Sequence, residues 1–169
     1  MTTTNIYETD FSYTTYPIKG GTKLGFAMLV AFTAEGYLVP IDHSEAVSFA
    51  GITSPHLLDD PELDAQIEAQ LYDNSNGQDG DLRTSVSDTN CYGFVIDALT
   101  APLNLTMKNR GQVIFASNTN TLHTTAGEGR FPIGRLKYIG LARDGSGEIE
   151  GAKNCYWIDP TQLSPVNEA

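Results

Sequence analysis

The sequence predicts a mainly β fold with one short helix. Sixteen glycines and eight prolines, with many Thr and Asn residues, are spread along all 169 positions, which favours short strands joined by turns. Several segments alternate apolar and smaller residues, as half-buried strands do. With 40% hydrophobic and 18% charged residues, the composition is globular, and the length is that of one domain.

The first 20 residues predict an extended segment, because threonine and tyrosine favour strand conformation. Its apolar anchors are Ile6, Tyr7, Phe11, Tyr13 and Tyr16. The segment is either an edge strand or frayed terminus of the same domain, or an arm that adds as a strand to a neighbouring chain. The arm interpretation predicts that deleting residues 1–16 leaves a folded domain. It also predicts at least tenfold weaker partner binding, about 1.4 kcal/mol.

Two hairpins are predicted, at 25–41 and at 111–124. In the first, Val30 and Phe32 lie on one face of a strand and a turn at Gly36 leads to the return strand. Each hairpin is followed by a strand with an internal glycine, Gly51 or Gly134. The separation of these glycines, 83 residues, nearly equals the 86 residues from Gly25 to Gly111. The spacing suggests a quasi-repeat, although residue identity is low.

One helix is predicted at 60–72. Asp60 is a good N-cap and Pro61 suits the first helical position. Leu63, Ile67 and Leu71 recur every four residues, forming a narrow apolar stripe that should pack on another element. Further strands are predicted at 84–86, 92–96, 103–107 and 155–158, and a loose tail at 161–169. The predicted organisation is therefore an arm (1–20), a β domain (21–160) and the tail.

Residues 73–81 have the alternating oxygen ligands of a calcium loop. The twelfth position of such a loop is Thr84 rather than glutamate, and no second helix follows, so an ordinary solvated loop is the better interpretation. Cys91 and Cys155 each precede a tyrosine in a predicted strand. We expect two reduced, buried thiols. Trp157 is expected in a core or an interface.

No catalytic motif is apparent in the sequence. Asp42, His43 and Ser44 are the residue types of a hydrolase triad, but adjacent residues on a strand point to opposite faces and cannot converge. His43, His56 and His123 are dispersed, without neighbouring ligands at metal spacing. We therefore expect a protein that is not an enzyme and that needs no metal or cofactor.

The formal net charge of −11 argues against a nucleic-acid partner, which requires Lys and Arg at the phosphates. The first 20 residues contain no apolar run, so no signal peptide is predicted. No segment approaches the roughly 20 apolar residues of a membrane helix, and no membrane partner is expected.

The chain resembles the capsid decoration (cement, or head-stabilising) proteins of tailed bacteriophages. The resemblance lies in loose turn-and-hydrophobic patterns at 25–32, 37–40, 49–52, 111–116, 121–122, 132–135 and 156–159. It covers residues 25–159. The predicted helix and the loop that follows depart from the family pattern by enlarging its usual small domain.

This resemblance implies a compact β-barrel or β-tulip domain that forms a homotrimer. Such trimers are made in the host bacterial cytoplasm and stabilise the expanded head from its outer surface, at three-fold and quasi-three-fold positions. The N-terminal arm, with the anchors Ile6, Tyr7, Phe11, Tyr13 and Tyr16, would contact the major capsid protein or a neighbouring copy. The family supplies no catalytic residues. A rival hypothesis is a surface-binding module that recognises a glycan or receptor through residues 59–81.

Overall fold

The computed structural model describes residues 6–8, 13–54, 61–88, 90–144 and 147–163. The strands are β1 (Ile6–Glu8), β2 (Thr14–Pro17), β3 (Thr22–Lys23), β4 (Leu29–Phe32), β5 (Leu38–Pro40), β6 (Ser48–Thr53), β7 (Asp73–Asn74), β8 (Arg83–Ser87), β9 (Tyr92–Val95), β10 (Val113–Asn118), β11 (Thr121–His123), β12 (Phe131–Leu141), β13 (Arg143–Asp144), β14 (Gly147–Glu148) and β15 (Asn154–Asp159). The α-helix is α1 (Pro61–Leu71), and short 3-10 helices span Ile96–Ala98, Met107–Asn109 and Pro160–Leu163. The mainly β prediction with one α-helix is confirmed.

The chain divides into two compact units, where its length predicts one domain. The first unit comprises Met1–Thr4 and Ser12–Asp88, and the second comprises Asn5–Phe11 and Thr89–Ala169. Each has its own main sheet and its own buried cluster, which is the physical reason for the division.

The main sheet of the first unit is antiparallel, with strand order β2-β8-β6-β4-β5, and β3 pairs with β7 in a small separate sheet. Its buried cluster consists of Ile18, Leu24, Val30, Leu38, Ala50, Tyr72 and Val86. The sheet's two edges approach each other, since Ile18, directly after β2, forms a parallel bridge with Leu38 of β5.

The main sheet of the second unit has the order β1-β9-β15-β12-β10-β11 and is also antiparallel. A buried cluster contains Cys91, Val95, Ala142, Cys155 and Trp157. Trp157 donates its indole N–H to the carbonyl of Gly140 (3.0 Å) and stacks on Tyr138 with 5.4 Å between ring centroids. Gly93 makes room for it, because a Cβ there would lie 2.8 Å from the indole ring.

The two units have the same strand plan. Strands β2, β4, β5, β6 and β8 correspond, in chain order and in sheet order, to β9, β10, β11, β12 and β15. The register agrees pair by pair: Leu29–Ile52 with Val113–Arg135, Val30–Gly51 with Ile114–Gly134, Ala31–Phe49 with Phe115–Pro132, Ile52–Ser87 with Arg135–Asp159, and Thr53–Val86 with Leu136–Ile158. The quasi-repeat suggested by glycine spacing is therefore a structural repeat.

A glycine-containing bulge occurs at the same place in both sheets. The register shifts after Val30 in the first unit and after Ile114 in the second. The paired glycines, Gly51 and Gly134, have φ of 142° and 155°, and an added Cβ would lie 2.2 Å from the carbonyl oxygen of Ser87 or 2.7 Å from that of Asp159. Such contacts exclude any side chain.

Three predictions about local structure need correction. The N-terminal segment is not a separate arm over its described residues, since β1 and β2 pair within the chain's own sheets. Residues 103–107 form no strand, because Asn104 takes a left-handed φ of 54° and interrupts the alternation.

The apolar stripe of α1 is only partly packed: Leu63 is 40% and Leu71 45% exposed, while Ile67 packs on the first unit's core. The predicted N-cap, Asp60, lies outside the described residues.

Candidate functional site

The N-terminal anchors contact the chain's own two units. Ile6 is 1% exposed, opposite Phe94 of β9, and Tyr7 packs against the buried cluster of the second unit. Tyr13 is half-buried beside a groove of the first unit. Phe11 lies outside the described residues. The edge-strand interpretation therefore accounts for this segment within one chain, and contact with a neighbour stays a prediction.

Tyr16 packs on the core of the first unit. A deletion that leaves a folded domain must therefore end before Tyr16, rather than at residue 16 as the sequence predicts. Its ring meets Phe32 edge-on at 4.9 Å, and its hydroxyl donates to Asp88 Oδ2 at 3.3 Å. Burial, and then the Asp88 carboxylate, raise the pKa of Tyr16. Deleting residues 1–16 would remove these contacts and most of β2, whereas deleting residues 1–11 would not.

The sequence-predicted polar candidates are not brought together as a catalytic site. His43 Nδ1 accepts the N–H of Glu45 (3.1 Å), which is a local turn interaction. His123 Nε2 lies 2.8 Å from Ser117 Oγ, and burial together with the Arg130 charge lowers the pKa of His123. Within the described ranges, no group of three or more His, Cys, Asp or Glu residues could hold a metal ion. His56 lies outside those ranges.

The acidic loop at 73–81 uses side-chain oxygens to accept hydrogen bonds from backbone N–H groups inside and outside the loop. Asp79 Oδ1 accepts the N–H of Gly20 and Asp81 Oδ2 that of Gln78, both at 2.8 Å. Asn74 is 2% exposed and donates from its amide to the carbonyls of Ile18 (3.2 Å) and Gln78 (2.8 Å). These bonds engage oxygens and amides of the loop within the chain itself.

Both cysteines are free and buried, as the sequence predicts. They belong to the cluster that contains Trp157. Burial raises the pKa of the Cys155 thiol to about 11, which keeps it protonated and unreactive near neutral pH. Trp157 is a core residue of the second unit at 2% exposure.

The first unit contains an apolar groove of about 360 Å³ between α1 and the sheet. Its lining includes three aromatic side chains and one charge of each sign, those of Asp64 and Arg83. The aromatic residues are Tyr13, Phe26 and Tyr72, of which the last two meet edge-on at 5.0 Å. Sequence reasoning named α1 and Tyr13 but not this groove, because its wall combines residues distant along the chain.

The second unit contains a smaller pocket of about 170 Å³, which we call the cationic pocket. It is lined by Arg110, Gly111, Arg135, Leu136, Lys137 and Asp159. Sequence reasoning missed it, since the residues come from three separate segments and the overall composition is acidic. The signal available was the proximity of Arg110 to the first glycine of the second hairpin.

Comparison of the chain with protein-family models, with curated proteins and with solved structures found no match. Over the part of the chain that the structure describes, no helix has the length and apolar character needed to cross a membrane.

Proposed function

We propose that this protein is a capsid decoration protein that binds the outer surface of an expanded phage head and stabilises it. The observation that supports the proposal best is the short strand β1 at the edge of the second unit's sheet. It is three residues long and is anchored by the buried Ile6. A segment held in this way can make the same contacts with another chain.

The proposed assembly is a homotrimer whose N-terminal segments engage a neighbouring copy or the major capsid protein. Multiple weak contacts per trimer would give avidity on the shell. A ligand that binds only the expanded shell stabilises that form by mass action. The approach of the two sheet edges at Ile18 and Leu38 supports a barrel-like first unit, as the resemblance to decoration proteins implies.

The test is co-sedimentation of the purified protein with expanded and unexpanded empty phage heads. We expect saturable binding to the expanded heads alone. Deletion of residues 1–11 should weaken that binding at least tenfold, about 1.4 kcal/mol, while circular dichroism of the free protein remains native-like. Equal binding to both head forms, or binding to neither, contradicts the proposal.

A point variant separates the anchor from the rest of the segment. Ile6→Ala removes buried apolar contacts and should weaken head binding as the deletion does, to a smaller extent. Val47→Ala is the matched control, because Val47 is 57% exposed in the first unit. If both variants bind heads like the wild type, β1 has no part in the mechanism.

The groove of the first unit supports a second candidate function, recognition of a glycan or receptor. Apolar and aromatic walls with a few charged groups are typical of ligand sites, and α1 belongs to the 59–81 insertion that the sequence singles out. This candidate predicts binding on a glycan array in the absence of any capsid. Binding should be lost in Phe26→Ala and retained in Met107→Ala, an exposed apolar control in the second unit.

A further inference from the structure

The cationic pocket concentrates positive charge in an acidic chain. Three of the chain's ten Lys and Arg residues line it, against a single carboxylate, although the chain carries a net charge of −11. Acidic residues outnumber basic ones by 21 to 10 in the chain. A pocket lined at random would therefore contain more carboxylates than cations.

The three cations differ in how they are held. Arg135 is half-buried and its Nη1 donates to the carbonyl of Gly111 at 2.8 Å, which fixes the guanidinium at the wall. Arg110 and Lys137 are exposed, and neither makes an ion pair with any residue that the structure describes. Lys137 Nζ lies 3.7 Å from Cys91 Sγ.

The carboxylate in the pocket is already engaged. Asp159 Oδ1 accepts the backbone N–H of Thr161 at 3.0 Å and the Thr161 hydroxyl at 2.5 Å. With one carboxylate against three cations, the lining keeps a positive balance.

The structural repeat provides a comparison for the pocket. Counting from the paired register, Phe26, Ile52 and Ser54 of the first unit correspond to Arg110, Arg135 and Lys137. Two of these counterparts, Phe26 and Ser54, line the apolar groove, so the groove and the pocket overlap at these two positions of the strand plan.

The elements that lie beside these positions differ between the two units. In the first unit, Phe26 packs edge-on against Tyr72, and Ile67 of α1 lines the same groove. The connection from β6 to β8, which includes α1, spans 29 residues, whereas that from β12 to β15 spans 12 and includes no described α-helix. At the three equivalent positions the second unit thus has charged side chains, whereas the first has Phe26, Ile52 and Ser54, none of them charged.

We propose that the cationic pocket binds an oxyanion group, a carboxylate or a phosphate. A guanidinium presents paired N–H donors that match either group in a bidentate fashion, and an ammonium adds a mobile charge. The half-buried Arg135 is fixed by its bond to Gly111, so the site is partly preorganised. The pocket volume of about 170 Å³ equals that of about six water molecules, which suits one such group rather than a large ligand.

The experiment is calorimetric titration of the full chain with inorganic phosphate and, separately, with citrate at low ionic strength, where charge interactions are least screened. The test variant is Arg110→Ala/Lys137→Ala. The matched control is Lys108→Ala/Lys153→Ala, which removes the same charge from exposed positions of the same unit. We expect about tenfold weaker binding or more in the test variant, since charged hydrogen bonds are removed, and little change in the control.

A second variant, Arg135→Ile, introduces the first unit's residue and should abolish binding while circular dichroism and the unfolding midpoint show a folded protein. A preference for phosphate or for citrate identifies the source of the oxyanion, and either result supports the proposal. Equal weakening in the test and control variants would show that the cations act only through net charge. That result, or the absence of wild-type binding to both anions at millimolar concentration, overturns the proposal.

Discussion

The two units are built on one strand plan but differ in charge and in what surrounds their sheets. The first unit has twelve acidic and three basic residues, a net charge of −9, and the second has nine and seven, a net charge of −2. The shared plan requires the same bulge, with a glycine that no side chain can replace. The differences lie in the connections and in the surface that each connection covers or leaves to solvent.

At equivalent positions of the two units, the residue types differ with the element that packs beside them. In the first unit, where residues of α1 line the groove, the three positions are occupied by Phe26, Ile52 and Ser54, two of them apolar. In the second unit, where the connection from β12 to β15 includes no described α-helix, the corresponding residues are Arg110, Arg135 and Lys137, all charged. Uncovered apolar side chains at a sheet end would expose a hydrophobic patch, and charges avoid this while creating a binding capacity.

The largest predicted effect tests how far the two cores differ. Trp157→Ala should destabilise the second unit by about 3–5 kcal/mol, because a large buried aromatic residue is removed. The register places Ser85 at the equivalent position of the first unit. Ser85→Ala should change stability by less than about 0.5 kcal/mol. Denaturant unfolding followed by circular dichroism measures both, and equal costs would contradict the assignment of Trp157 to one core.

The next effect tests what the units share. Gly51→Ala and Gly134→Ala should each cost about 3 kcal/mol, since the left-handed φ and the contact of the added Cβ with the next strand both oppose the side chain. Tryptophan fluorescence reports the second unit, because Trp157 is the chain's one tryptophan. Circular dichroism reports both units together, so a transition seen by circular dichroism and not by fluorescence belongs to the first.

Each unit contains its own control for the glycine variants. Gly36 and Gly111 have φ of 90° and 88°, and an added Cβ at either meets nothing within 4 Å. Alanine at these positions should cost only about 1 kcal/mol, the backbone strain alone. If one bulge glycine tolerates alanine as well as its control does, the two bulges are not equivalent.

The smallest predicted effect concerns the second strand of each hairpin, β5 in the first unit and β11 in the second. His123 corresponds to the buried Val39 of the first unit. Because its folded pKa is lowered by burial and by Arg130, its contribution to stability is complete above pH 6.5 and is lost as the pH falls below that value. His123→Val should remove this part of the acid destabilisation. Thermal unfolding at pH 7 and pH 5 checks it, and an identical pH dependence in both proteins would refute the role of His123.

Local patterns in the sequence predicted most of the secondary structure. The two hairpins, the strands at 84–86, 92–96 and 155–158, the helix, the buried thiols and the buried Trp157 all depend on residue type and spacing over short distances. The glycine separation of 83 residues also indicated the repeat. The strand predicted at 103–107 failed because a left-handed Asn104 overrides an alternation of leucines.

Partner choice among strands could not be predicted in this way. The tertiary structure decided that Ile6 pairs beside Phe94 while Tyr16 enters the other unit, since an extended, threonine-rich segment has no preference for one sheet edge. It also decided that Arg110, Arg135 and Lys137 line one pocket, because side chains from separate strands meet only when register is fixed. The sequence determined where the chain turns and which faces are apolar, and long-range pairing determined which charges and which edges lie together.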